Sequence, residues 1–150
     1  MQTLSKLLVF VVCGSIGAPA IAGTNAALPG TSAVLKADEA AWKRVQRLDP
    51  GVRVKVTVDG AAAVERYFVK ADEAELIVMN LTVANLPKRQ LLDMAVENPA
   101  WIAATSKTTY RDNNLRIGPD GLFVRNQKLA DLAQVVERIP RDRVTAVVKA

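Results

Sequence analysis

The chain has 150 residues, half of them hydrophobic but only 5% aromatic, with 20 Lys and Arg against 15 Asp and Glu for a formal charge of +5. This composition suits one domain with a modest core of Val, Ala and Leu, and it argues against a disordered chain. There is no His and a single Cys, Cys13, so His triads, His-metal sites and His proton relays are excluded, as is thiol chemistry outside the first residues.

The charges are interspersed rather than gathered, as in Lys43-Arg44 close to Asp38-Glu39 or in Arg141-Asp142-Arg143. A nucleic-acid surface would carry a denser basic stripe interleaved with aromatics, so no nucleic-acid partner is expected.

Residues 1–22 read as a secretory signal. Lys6 supplies the positive start, Leu7 to Val12 open the apolar stretch, and Ala20-Ile21-Ala22 fits cleavage before Gly23. The apolar run, broken by Gly14, Gly17 and Pro19, is too short for a membrane span. The bulky residues before Cys13 argue against lipidation of that thiol. The expected location is therefore periplasmic or secreted. Residues 23–31, rich in Gly, Ala, Asn and Pro, read as a flexible mature terminus, and 32–150 as a single domain.

Residues 32–48 predict a helix, firmest from Asp38, with Leu35, Trp42, Val45 and Leu48 on one face and Trp42 as its anchor on the core. Asp49-Pro50-Gly51 stops it. In 51–80, Val52, Val54, Val56 and Val58 alternate with Arg53, Lys55 and Thr57, the period-2 pattern of a half-buried strand. Asp59-Gly60 signals a hairpin turn. A second strand follows over 64–70, with Val64 and Phe68 inward, and a third over 75–81. Its run Leu76-Ile77-Val78-Met79 implies burial on both faces, the second covered by a helix. A helix is predicted over 85–98, a short helical piece around Trp101, a polar loop over 106–114, and a hairpin over 115–124 turning at Gly118 to Gly121. Leu129, Leu132, Ala133 and Val136 have helical spacing, whereas Val135, Val136 and Ile139 before Pro140 favour a strand. The reading is a helical turn over 128–133, then a strand to Ile139, with helix and strand both open for 134–139. A last strand is expected over 144–148.

A lead helix with Trp42, then Leu48, Gly51, a strand–Asp59-Gly60–strand unit, Arg66, Phe68, Asp72 and Leu76, is similar to small exported bacterial proteins of unknown function whose core resembles an Sm-like barrel. The stretch from Arg138 to Val144 looks like the short turn joining the last two strands of that barrel. The resemblance implies an α+β fold: a small antiparallel β-barrel built from 52–81 and 134–148, with an N-terminal helix and a helix-and-hairpin insertion over 82–133. The Asn with which Sm-like proteins hold RNA bases has no counterpart after Asp72, and Pro140-Arg141 replaces their Arg-Gly. RNA binding is therefore not carried over.

No catalytic or metal constellation stands out and no cofactor is expected. Asp72, Glu73 and Glu75 are the densest carboxylates, but a turn rich in Asp and Glu is ordinary. The expected role is a non-catalytic structural or protein-interaction module of the cell envelope. It would bind an envelope protein or assemble with itself through an exposed edge over 144–148. The alternatives are a weak binder of anionic polymers or lipid head groups through Arg53, Lys55, Arg141 and Arg143, and, least favoured, an enzyme. Tyr110 and Arg111 belong to the most polar loop with an aromatic and complete the candidate contact residues.

Overall fold

In a computed structural model the described residues are 33–34, 38–112 and 114–150. The signal segment, Cys13, the flexible terminus and Leu35 lie outside them.

The chain opens with a two-residue strand, β1 (Ala33–Val34), and then α1 (Glu39–Gln46). A strand thus stands where the continuous helix 32–48 was expected. Asp38 starts α1 because its carboxylate accepts the Ala40 N–H at 2.9 Å. Ala41, Trp42 and Val45 form its buried face. Then come β2 (Arg53–Val58), β3 (Val64–Ala71) and β4 (Glu75–Met79). Asp59 and Gly60 both take positive φ, 50° and 72°, and the Ala61 N–H closes the turn on Val58 O at 2.9 Å, as Asp-Gly predicts. Val64, expected inside, is 39% exposed at the start of its strand.

Two helices follow, α2 (Lys88–Glu97) and α3 (Pro99–Ala104), broken between them by Pro99. Next is a meander of four strands: β5 (Tyr110–Asp112), β6 (Leu115–Gly118), β7 (Gly121–Val124) and β8 (Gln127–Ala130). The expected hairpin is β6–β7. The expected loop at 106–114 instead contributes β5, and the helical turn expected from 128 is strand β8. A single helical turn, α4 (Leu132–Val135), leads into β9 (Val136–Pro140). A 3₁₀ turn, Arg141–Arg143, joins β9 to β10 (Val144–Lys149).

The protein is α+β with two antiparallel sheets. The larger has the order β1-β10-β2-β3-β4-β9 and the smaller the order β5-β6-β7-β8. The larger sheet does not close, because β9 and β10 are not paired with each other. The closed barrel expected from the sequence is corrected to an open sheet. Nor is the C-terminal strand an exposed edge: β10 pairs with β2 on one side and, at Ala146 and Val147, with β1 on the other.

Two apolar clusters lie on opposite faces of the larger sheet. On one face Trp42 and Val45 of α1 pack with Val54, Val56, Phe68, Leu76, Val78, Ile139 and Val147. On the other, Ile77 and Met79 pack with Leu91 and Met94 of α2, Ile102 of α3, Leu115, Ile117 and Leu122 of the smaller sheet, and Val135. Alternate residues of β4 therefore feed different cores, and Leu76 to Met79 are all buried, as their unbroken apolar run implies. Residues 82–133 supply most of the second core, in which each fully buried Leu or Ile is worth about 1.5–3 kcal/mol.

Candidate interaction groove

The edge of the larger sheet at β9 borders an open groove. The Asn80 N–H donates to Val135 O and the Arg141 N–H to Ala74 O, both at 2.8 Å, and the register sets Val78 opposite Glu137 and Leu76 opposite Ile139. Antiparallel pairing then turns the peptide groups of 135, 137, 139 and 141 toward β4 and those of 136, 138 and 140 away from it. The Val136 N–H donates to Leu132 O in the end of α4, and Pro140 has no N–H. The outward edge thus presents one amide, that of Arg138, between the carbonyls of Val136 and Arg138, while the Pro140 carbonyl starts the 3₁₀ turn. Proline at a sheet edge and a helical turn at its other end are ordinary guards against uncontrolled pairing.

A groove of about 750 Å³ runs beside this edge. Val58, Pro119, Leu132, Ala133, Val136 and Ile139 line it together with Ser106 and the charged Asp131, Glu137, Arg138 and Arg143. The Arg138 guanidinium fixes the rim: it pairs with Glu75 and donates to Ala103 O at 2.6 Å, which ties β9 to α3. On the opposite face Arg66 binds Glu137 through its Nε at 3.0 Å to each carboxylate oxygen and its Nη2 at 2.9 Å, half-buried.

The candidate cations from the sequence do not gather into one patch. Arg53 pairs with Glu65 at 3.6 Å, and Lys55 stands opposite Glu65 in the β2–β3 register. Arg141 reaches Glu39 at 2.5 Å and Glu73 at 3.4 Å, with its guanidinium 5.2 Å from the Trp42 ring centre. That ion pair holds the Glu39 carboxyl below its usual range. Arg143 pairs with Asp59 at 2.7 Å, which raises the guanidinium pKa. Three of the four are therefore matched by carboxylates.

The three carboxylates of the β3–β4 turn also go separate ways. Asp72 Oδ1 accepts the Ala74 and Glu75 N–H groups at 2.9 and 3.0 Å, and these bonds lower its pKa. Its own carbonyl accepts the Trp42 indole N–H at 2.8 Å. Glu73 meets Gln46 and Arg141, and Glu75 meets Arg138. Among the described residues no three His, Cys, Asp or Glu side chains come together as a metal-holding group, and no helix is long and apolar enough to cross a membrane.

Tyr110 lies 5.0 Å from Trp101, ring centre to ring centre, tilted 32°. Burial, then Asp112 and Glu97, push its phenol up. Arg111 sits directly opposite Arg116 in the smaller sheet. Sequence reasoning missed the groove because its lining comes from four separated segments. Only Pro140, ending an apolar run, hinted at an edge. A scan against protein-family models gave no match, and neither the curated proteins nor the solved structures contain a match to this chain.

Proposed function

We propose that the protein is a non-catalytic interaction module of the cell envelope that takes a short extended segment of a partner protein against β9. The observation that carries this reading is the outward Arg138 amide, which has no acceptor among the described residues, beside a groove lined largely by Leu132, Ala133, Val136 and Ile139. A strand laid there would gain main-chain hydrogen bonds from the edge and side-chain pockets from the groove, the usual division between affinity and specificity in strand addition. The guards at Leu132 and Pro140 limit the added segment to a few residues. The envelope location rests on the signal-like residues 1–22.

The strand order of the larger sheet supports the reading of an Sm-like core. The last strand returns beside the first, β10-β2-β3-β4-β9 is contiguous, and a three-residue turn joins β9 to β10. In this reading α2, α3 and the smaller sheet are an insertion between the third and fourth strands of that core, β4 and β9.

Ala133 is exposed on α4 at the groove wall, so Ala133→Trp fills the groove without disturbing either core. Immobilised wild-type protein should retain a partner from an envelope extract that Ala133→Trp does not retain. Equal retention by the two would sink the proposal.

A further inference from the structure

At one end of the smaller sheet Arg111 of β5, Arg116 of β6 and Arg125 of the β7–β8 turn stand in an arrangement that costs stability. The β7–β8 turn has two residues, Arg125 and Asn126, at φ 49° and 66°. A two-residue turn with both φ positive calls for Asn or Gly, and a long side chain at its first position is unfavourable there. The Arg125 N–H donates to Asn114 O at 2.8 Å, which ties this turn to the residue just before β6. Arg111 and Arg116 form a direct cross-strand pair of like charges, itself destabilising.

Beside the β7–β8 turn lies a cleft of about 270 Å³ lined by Arg111, Asn114, Leu115, Arg116, Arg125 and Asn126, with no carboxylate among these described residues. Arg116 is fixed from outside the cleft: Asp120 binds its Nη1 at 2.6 Å, and its guanidinium lies 3.7 Å from the Phe123 ring centre. Among the described residues Arg111 and Arg125 have no ion-pair partner. One positive charge is thus balanced and two are not, beside amides able to donate.

We propose that this cleft binds a phosphate group. A phosphate dianion would match the two unbalanced guanidiniums, and its tetrahedral oxygens suit charge-assisted bonds from several directions. The positive φ at Arg125 and the Arg111–Arg116 pair are then the local cost of keeping the site assembled without its ligand.

The full chain is titrated with inorganic phosphate at constant ionic strength, and thermal stability is measured alongside. Wild type should bind saturably. Arg125→Gly removes both the guanidinium and the backbone penalty, and Arg111→Gln removes the like-charge pair. Each should weaken phosphate binding about tenfold or more while melting no lower than wild type. In a second arm, attachment to vesicles containing phosphatidic acid that phosphate displaces supports a lipid phosphate as the source. No attachment, with saturable phosphate binding, supports a phosphorylated solute. The proposal is overturned by absence of saturable binding, by wild-type affinity in both variants, by binding that falls only in step with stability, or by vesicle attachment that phosphate does not displace.

Discussion

Trp42 tests the packing of the first core most sharply. Its side chain is fully buried on the face of α1 that meets β2, β3 and β4, and its indole N–H reaches across to the Asp72 carbonyl. Trp42→Ala removes the largest side chain of that cluster, a change that costs about 3–5 kcal/mol. A domain of this size holds about 5–15 kcal/mol in all, so the alanine variant should be at the margin of folding. Trp42→Phe keeps an aromatic ring but leaves the Asp72 carbonyl without its donor. The lost bond is worth about 1 kcal/mol and the smaller ring leaves a void, for a total of about 1–3 kcal/mol. Urea unfolding followed by far-ultraviolet circular dichroism gives the midpoints. Trp101, 49% exposed, provides the matched control: Trp101→Phe should change the unfolding free energy by less than about 0.5 kcal/mol. A Trp42→Phe midpoint equal to wild type, or a Trp101→Phe loss as large as that of Trp42→Ala, would refute the assignment of α1 to the core.

Two further changes probe the turns. Asp72 has a depressed pKa in the folded chain, so its contribution to stability is present above the unfolded-state value and is lost as pH falls through the folded one. Asp72→Asn should therefore reduce stability at neutral pH and flatten its decline on acidification below about pH 4; parallel acid-unfolding curves for the two proteins would contradict this. Gly121 has φ +127°, and an added Cβ would meet Ala130 O at 2.6 Å. Gly121→Ala should lower stability by about 1–3 kcal/mol in thermal unfolding, and an unchanged melting temperature would count against the β7–β8 register.

The elements that could be read from the sequence are those whose pattern is local. The alternating valines of β2, the Asp59-Gly60 turn and the two-faced run Leu76 to Met79 each determine their own structure, and Trp42 marked the buried face of α1. What could not be read depends on distant partners. Leu129, Leu132, Ala133 and Val136 have helical spacing but belong to three elements, because the chain turns at Asp131. The Asp131 N–H is bonded by the Gln134 side chain there, and helix begins only at Leu132. β5 is three polar residues, Tyr110-Arg111-Asp112, made into a strand by pairing with β6. β1 adds to β10, more than 100 residues away, against a helical pattern that begins only after Asp38. The candidate cations were identified as residues but not as a surface. Arg53, Arg141 and Arg143 found carboxylates across the fold, and Arg111 joined Arg116 and Arg125, neither of which stood out in the sequence.

The central claim is that β9 is the partner-binding edge. Amide hydrogen exchange of the protein, alone and with the partner captured from the envelope extract, tests it residue by residue. The account predicts new protection at Arg138 and its neighbours in Val136–Pro140, with the paired strands β2 and β3 unchanged. Protection confined to other segments, with Arg138 exchanging as fast in the complex as in the free protein, would contradict it.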